Sequence, residues 1–362
     1  MNREEFFEAV KGQVKEYLPE DYQDASVELV QKLKNNDQML TGVSIRRADE
    51  NIVPNIYLDG YFEAYQNGDT PMETVLQAVS RDRQAYDGKG LEGITEELAR
   101  YDSIRGKLQI RLCDTEKNKA RLEGMVSTMQ GDFAAVYYVK LFETEQGTGS
   151  VAVTPGLLEN WGITKEQLHK DALAAGLSQT PMLCSMDNMV GSLLFGEEPV
   201  NLLEQKDGGD MEEPETPMYC LTNAGKMNGA SLILNEEVMK SVGEVLGDDL
   251  YILPSSVHEV MLVPVSSQIE LSQLQNMVAE INGSGEVPAE EILSNKVQYF
   301  DRSTCVLENA QARASSLAKE KQAERADGPK SVLQRLSEKK NECAEAGRSV
   351  LAGERKTPQL AI

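Results

Sequence analysis

Residues 218–264 read MYCLTNAGKMNGASLILNEEVMKSVGEVLGDDLYILPSSVHEVMLVP, and this stretch carries the densest run of strand, turn and helix signals in the chain. Two apolar runs, 219–221 and 230–234, flank Asn223, Gly225, Asn228 and Gly229, as an antiparallel hairpin requires. A helix should follow: Asn235 caps it, Glu236 and Glu237 sit at its positive end, and Val238, Val242, Val245 and Leu246 share one apolar face until Gly247 ends it. Two short strands come next, 250–253 and 259–263, joined by the polar elbow Pro254-Ser255-Ser256-Val257-His258. The expected class is α+β, with mixed or antiparallel sheets and packed helices.

Upstream, Leu108, Ile110 and Leu112 alternate with polar residues, the period of a half-buried strand. Residues 133–142 form the strongest strand candidate because aromatic and β-branched residues dominate them. A turn at Gly147-Thr148-Gly149, a strand at 150–153 and a helical pair at 157–161 and 164–175 follow. The order strand, glycine turn, strand, helix therefore occurs at 133–161 and again at 218–246, a possible duplicated ββα unit. Thr180-Pro181 should open a short helix carrying Met182, Met186 and Met189 as core filling.

The N-terminal third reads as mostly helical: an amphipathic helix over 2–18, another over 26–34, and one opened by a capping box at Thr70-Pro71-Met72-Glu73. Only 42–47 and 52–58 look extended there, the latter broken by Pro54. Near the other end, 271–281 is an amphipathic helix, Pro288 opens a short one and 297–300 form a last strand. The expected organisation is a helical region over 1–105, an α+β unit over 106–196, an acidic flexible loop over 197–217, a second α+β unit over 218–305 and a polar helical or disordered tail over 306–362.

The formal charge of −23 is unevenly spread. Residues 311–362 carry 11 Lys/Arg against 7 Asp/Glu, which leaves residues 1–310 with 25 basic against 52 acidic side chains, a net of −27. Such a body repels phosphate backbones, so direct nucleic-acid binding by it is not expected. Cys113, Cys184, Cys220, Cys305 and Cys343 show no C-x-x-C spacing and no neighbouring histidine, which excludes zinc ribbons and thiol-redox pairs and reads as reduced and cytoplasmic. The acidic start Met1-Asn2-Arg3-Glu4-Glu5 lacks the form of a secretion signal, and no apolar run is long enough to span a bilayer.

Candidate chemistry is sparse. Ser255 or Ser256 with His258 suggests a nucleophile and base, yet no G-x-S-x-G elbow surrounds them, and turn hydroxyls bonding nearby backbone explain them as well. His258-Glu259 begins like a zinc-protease helix, but Leu262 stands where the second histidine belongs, and His169 is the chain's only other histidine. The two Gly-x-Gly runs lack the setting of a phosphate cradle, so neither a cofactor nor a metal is expected. Glu116-Lys117-Asn118-Lys119 and Arg121 read as a helix start or exposed loop, and Trp161 as a core anchor.

The phrases LPSSVHEV at 253–260, N-G-A at 228–230, E-K-N at 116–118 and L-x-x-W-G-I-T at 158–164 resemble an uncharacterised bacterial family, a domain of unknown function. That family is seen mainly in Gram-positive gut bacteria and often on conjugative or integrative elements, so the resemblance implies a cytoplasmic protein with no assigned activity. Three functions stand open: a protein-binding partner within a mobile element, an acidic DNA mimic that occupies a nucleic-acid-binding protein, and a hydrolase at Ser255, Ser256 and His258. The oligomeric state is open.

Overall fold

The computed structural model describes residues 1–326 apart from 51–52, 69, 87–92, 145–146, 197 and 206–216. Most of the acidic segment expected to be a loop, and the tail beyond 326, therefore lie outside the described residues. The chain divides into two units, Met1–Gln311 and Ala312–Ile362. The described part of the second is helical, in a helix that spans Ala310–Ala326. No described helix is long and apolar enough to cross a membrane.

The first unit is α+β, built on three antiparallel sheets. The first sheet has the order β1-β2-β3, with β1 Ser26–Leu33, β2 Met39–Arg46 and β3 Asn55–Tyr57. The second joins β4 Leu108–Asp114, β5 Ser127–Gln130, β6 Phe133–Thr144 and β7 Gly147–Ala152. Long β6 is its centre, pairing with β4 along one edge and with β5 and then β7 along the other. The third has β8 Pro181–Ser185, β9 Tyr219–Asn223, β10 Leu250–Leu253, β11 Val260–Pro264, β12 Gln298–Asp301 and β13 Val306–Asn309, in the order β13-β12-β10-β11-β9-β8.

Period-2 patterning divides the faces of the second sheet. Ile110 and Leu112 of β4 and Phe133, Ala135, Tyr137 and Val139 of β6 enter a core shared with Leu221, Ile252 and Leu262 of the third sheet. The intervening residues Arg111, Cys113, Val136 and Tyr138 turn to the opposite face, where a small apolar cluster forms around Cys113, Ala134 and Val136. The N-terminal layer has its own core: Phe6 and Val10 of helix Arg3–Gln13 pack with Val43 and Ile45 of β2 and Val75 and Val79 of helix Met72–Ala85.

Several expectations need correction. The segment expected as a helix over 26–34 is instead strand β1, Ser26–Leu33: Val27, Val30 and Leu33 fit a helical interval, but an eight-residue register with β2 decides. The N-terminal third thus contains a full sheet. Residues 230–234 are not a strand; Gly229–Leu234 is a 3₁₀ helix, so no hairpin opens the central stretch. The duplicated ββα unit falls with it, because β6 and β7 pair as a hairpin while the second copy has a single strand. Gly147 to Gly149 belong to β7, not to a turn. Thr180, at φ 51°, leads into strand β8 and not into a helix, whose start comes at Met186. Pro71 occupies the cap position of helix Met72–Ala85 without a side-chain cap bond, so the Thr70 capping box is not used. Pro288 opens a turn closed by the Glu291 N–H, and β13 adds a strand beyond the expected last one.

Arg83 is 0% exposed in the N-terminal core. Its Nε donates to the Ile45 carbonyl at 2.8 Å, its terminal nitrogen meets both Glu50 oxygens at 2.5 Å, and its guanidinium lies 4.9 Å from the Tyr22 ring centroid. Burial alone raises the Glu50 carboxyl, but the bond from Arg83, the Arg47 N–H and both guanidinium charges outweigh it and hold the group below its usual 4.5. Arg83→Met leaves Glu50 with Arg47 as its one remaining cation and the Ile45 carbonyl without its donor, and should lower unfolding free energy by about 3 kcal/mol in chemical denaturation. A depressed carboxyl stabilises above its unfolded value, so wild-type stability should fall as pH drops below about 4.5, with a smaller fall in the variant; equal slopes in both proteins would contradict this assignment.

Candidate functional site

The second face of the β4–β7 sheet, the end of the first sheet and helix Met72–Ala85 enclose a cleft of about 570 Å³. Arg111, Tyr138, Phe142 and Gly149 line it from the strands β4, β6 and β7. Lys34 and Tyr57 face it from the first sheet, and Tyr61, Asp82 and Tyr86 from the helical side. Arg121, from the short helix Lys119–Glu123, completes the basic end. A side chain at Gly149 would collide with Phe142, since a Cβ there lies 2.3 Å from ring atoms. Absence of that carbon is what lets the ring lie over β7.

Three cations meet here, and each is held by neutral groups. Arg111 donates from Nε to the Asn228 side-chain oxygen at 2.9 Å and lies 4.9 Å from the Tyr138 ring centroid. Arg121 is buried, and its nitrogens donate to the Asn35 and Asn118 side-chain oxygens at 3.2 Å each and to the Tyr138 hydroxyl at 2.7 Å. The Lys34 ammonium rests 4.0 Å from the Tyr57 ring centroid. Burial, then the charges of Arg111 and Arg121, push Lys34 down to about 8. Among the described residues lining the cleft, Asp82 is the sole carboxylate. It accepts a hydrogen bond from the Tyr61 hydroxyl.

Beneath the basic end lies a polar junction. Asn36 and Asp37, at φ 58° and 50°, form the tip between β1 and β2. Asp37 accepts from the N–H groups of Ala120 and Arg121, capping the helix that carries Arg121. The Asn36 N–H donates to Asn118, and the Asn36 amide donates to the Ala289 and Ile292 carbonyls. Asn118 is 0% exposed and occupies the cap position at the start of helix Lys119–Glu123, so of the two expectations for this segment the helix start holds and the exposed loop does not; buried Arg121 bonds amides and a phenol. Asp114 accepts from the Ser294 hydroxyl at 2.6 Å, tying the same strand to the C-terminal segment.

The elbow residues belong to this junction. Ser255 and Ser256 are 8% and 5% exposed, and Ser256 Oγ accepts from the His258 backbone N–H at 2.9 Å. The Leu293 N–H donates to the Ser255 carbonyl, and Ser256 pairs with Ile292 as an isolated bridge. His258 Nδ1 accepts from the Asn228 N–H at 3.2 Å, and Nε2 stands 3.7 Å from Glu291. Neither serine hydroxyl bonds the imidazole; Glu259, next along the chain, is half-buried at the start of the return into β11. His169 Nδ1 and the Tyr137 hydroxyl share a hydrogen bond at 2.8 Å, and the Trp161 indole donates to the Leu98 carbonyl. Among the described residues no group of three His, Cys, Asp or Glu side chains is placed to hold a metal ion.

Asn228 and Gly229 connect elbow and cleft. Asn228, at φ 56°, gives its side chain to Arg111 and its N–H to His258. A Cβ on Gly229 would lie 2.5 Å from the His258 carbonyl oxygen and 2.9 Å from Thr222 Cα, both backbone atoms. Gly229→Ala should therefore cost about 3 kcal/mol of stability by thermal or urea unfolding. Gly225→Ala is the control, since its Cβ would meet the Asn223 side chain at an ordinary 3.5 Å; equal midpoints for the two variants would remove the close-approach argument.

The cleft residues were not singled out from sequence, because they come from six separate segments, and each alone has an ordinary reading as a strand end, a helix face or a charged turn. The phrases at 116–118, 228–230 and 253–260 do mark the junction: Asn118, Asn228, Ser256 and His258 all lie in them. No curated protein and no solved structure matches this chain. Residues 3–302 match a family of unknown function, DUF5688, and the chain belongs to that family.

Proposed function

We propose that this chain is a cytoplasmic binding protein that takes a small organic anion into the cleft between its first two sheets and meets other proteins through its acidic exterior. One observation carries the reading: Lys34, Arg111 and Arg121 converge in the cleft of a body whose net charge is −27. The charges of Arg111 and Arg121 already act on Lys34, so gathering the three is unfavourable while the cleft is unoccupied. An anion relieves that repulsion. Neither the Arg111 terminal nitrogens nor Lys34 Nζ has a protein acceptor among the described residues, so their donors remain open to a ligand.

The protein partner and the cytoplasmic location rest on the uneven charge, the spacing of the cysteines and the poor fit of a polyanion to the exterior. Reaction at Ser255, Ser256 and His258 has less support than binding in the cleft, since the bonds of the imidazole run to Asn228 and toward Glu291.

Phosphate and phosphorylated metabolites should raise the melting temperature of the wild type, with affinity falling at least tenfold in Arg111→Gln and in Lys34→Gln, an expected loss of about 1.4 kcal/mol or more. An anion raises the pKa of Lys34 from about 8, so binding at pH 8 should take up as much as about half a proton and weaken as pH rises further. Titration calorimetry in buffers of different ionisation enthalpy reads that uptake. Proton release, or full binding by both variants, would sink the reading.

A further inference from the structure

We infer that the anion taken by the cleft is the phosphate of a single nucleotide, with its base against the aromatic side of the cavity; this rests on the anion-binding reading above. Phosphate recognition alone needs only the basic end, yet five aromatic rings also face the cleft: Tyr57, Tyr61, Tyr86, Tyr138 and Phe142. The whole chain has 20 aromatic residues among 362, so a quarter of them surround one cavity. Rings gathered so densely beside cations offer flat apolar faces to a planar group attached to the bound phosphate.

Local structure points the same way. Phe142 reaches the cleft because Gly149 leaves its ring room, and it packs with Tyr86 at a centroid distance of 5.6 Å and a 57° tilt. That pair belongs to two different parts of the fold, β6 and the end of helix Met72–Ala85. Asp82, also on that helix, binds the Tyr61 hydroxyl through one carboxylate oxygen, and the other has no protein donor among the described residues. Asp82 lines the cleft from helix Met72–Ala85, whereas Lys34, Arg111 and Arg121 come from the first two sheets and the helix at 119, so a base amine or a ribose hydroxyl of a phosphate-anchored nucleotide can donate to it.

Size and charge limit the ligand to one nucleotide. A volume of about 570 Å³ falls within the range of small-molecule sites. A nucleic-acid strand would have to lay further phosphates along a body of net charge −27. One phosphate at the basic end avoids that repulsion.

Titration calorimetry of the full chain with AMP, GMP, ribose 5-phosphate and inorganic phosphate tests the inference. At least one of the two nucleotides should bind tenfold or more tightly than ribose 5-phosphate. Tyr86→Leu and Phe142→Leu, made separately so that a folding defect in one does not decide the matter, should erase that margin and leave phosphate affinity within about twofold. Equal binding of nucleotide and ribose 5-phosphate, with both abolished by Arg111→Gln, overturns the nucleotide and leaves the anion site standing. Failure of all four compounds to bind overturns both.

Discussion

Arg111 and Arg121 are held by amide oxygens and a phenol where an acidic protein has carboxylates to spare. Asn228, Asn35, Asn118 and the Tyr138 hydroxyl fix the two guanidinium groups without neutralising them. Neutral acceptors give orientation at no loss of charge, so the positive field of the cleft survives into the folded state. Lys34, placed where β1 gives way to its turn, adds to that field and has its own proton loosened by burial and then by the two guanidinium charges. Contrast Arg83, fully buried, which is matched to Glu50 and so serves the N-terminal core. The chain uses both solutions, and the difference between them separates a structural arginine from one left available to a ligand.

Holding three cations together requires that several distant segments be fixed against one another. The tip between β1 and β2 does this with its two left-handed residues, reaching the start of the helix at 119 on one side and the carbonyls of Ala289 and Ile292 on the other. Ile292 pairs with Ser256, and Ser294 closes on Asp114. Strain at Asn36 and Asp37 is tolerable for residue types that visit this region of backbone space and whose side chains find several partners. The elbow bonds into the same assembly, since Ser256 accepts from the His258 N–H and His258 accepts from Asn228, whose side chain holds Arg111.

What the sequence made legible was what short-range physics decides. Helix Glu236–Leu246 begins at Asn235, whose side chain accepts from two backbone N–H groups, and ends at Gly247 with φ 73°, as its capping residues led one to expect. Strands β4, β6, β10 and β11 followed from alternation and β-branched content. Gly229 was misleading because glycine there answers a tertiary contact with His258 and Thr222, not the needs of a hairpin turn. The burial of Asn118 was not legible because its neighbours are charged, while its own amide is consumed by the Asp114 carbonyl four residues back and by Asn36 in the tip between β1 and β2. The cleft stayed hidden for the same reason: Lys34, Asp82, Arg111 and Tyr138 are brought together by sheet packing and share no local pattern.

The central claim is that an anion belongs between Lys34, Arg111 and Arg121, and the most direct measurement is an anomalous difference map from crystals of the full chain soaked in tungstate, an electron-dense tetrahedral oxyanion. The account predicts a strong peak within hydrogen-bonding reach of Arg111 and Lys34. Peaks confined to exposed lysines, with the cleft empty, would contradict it.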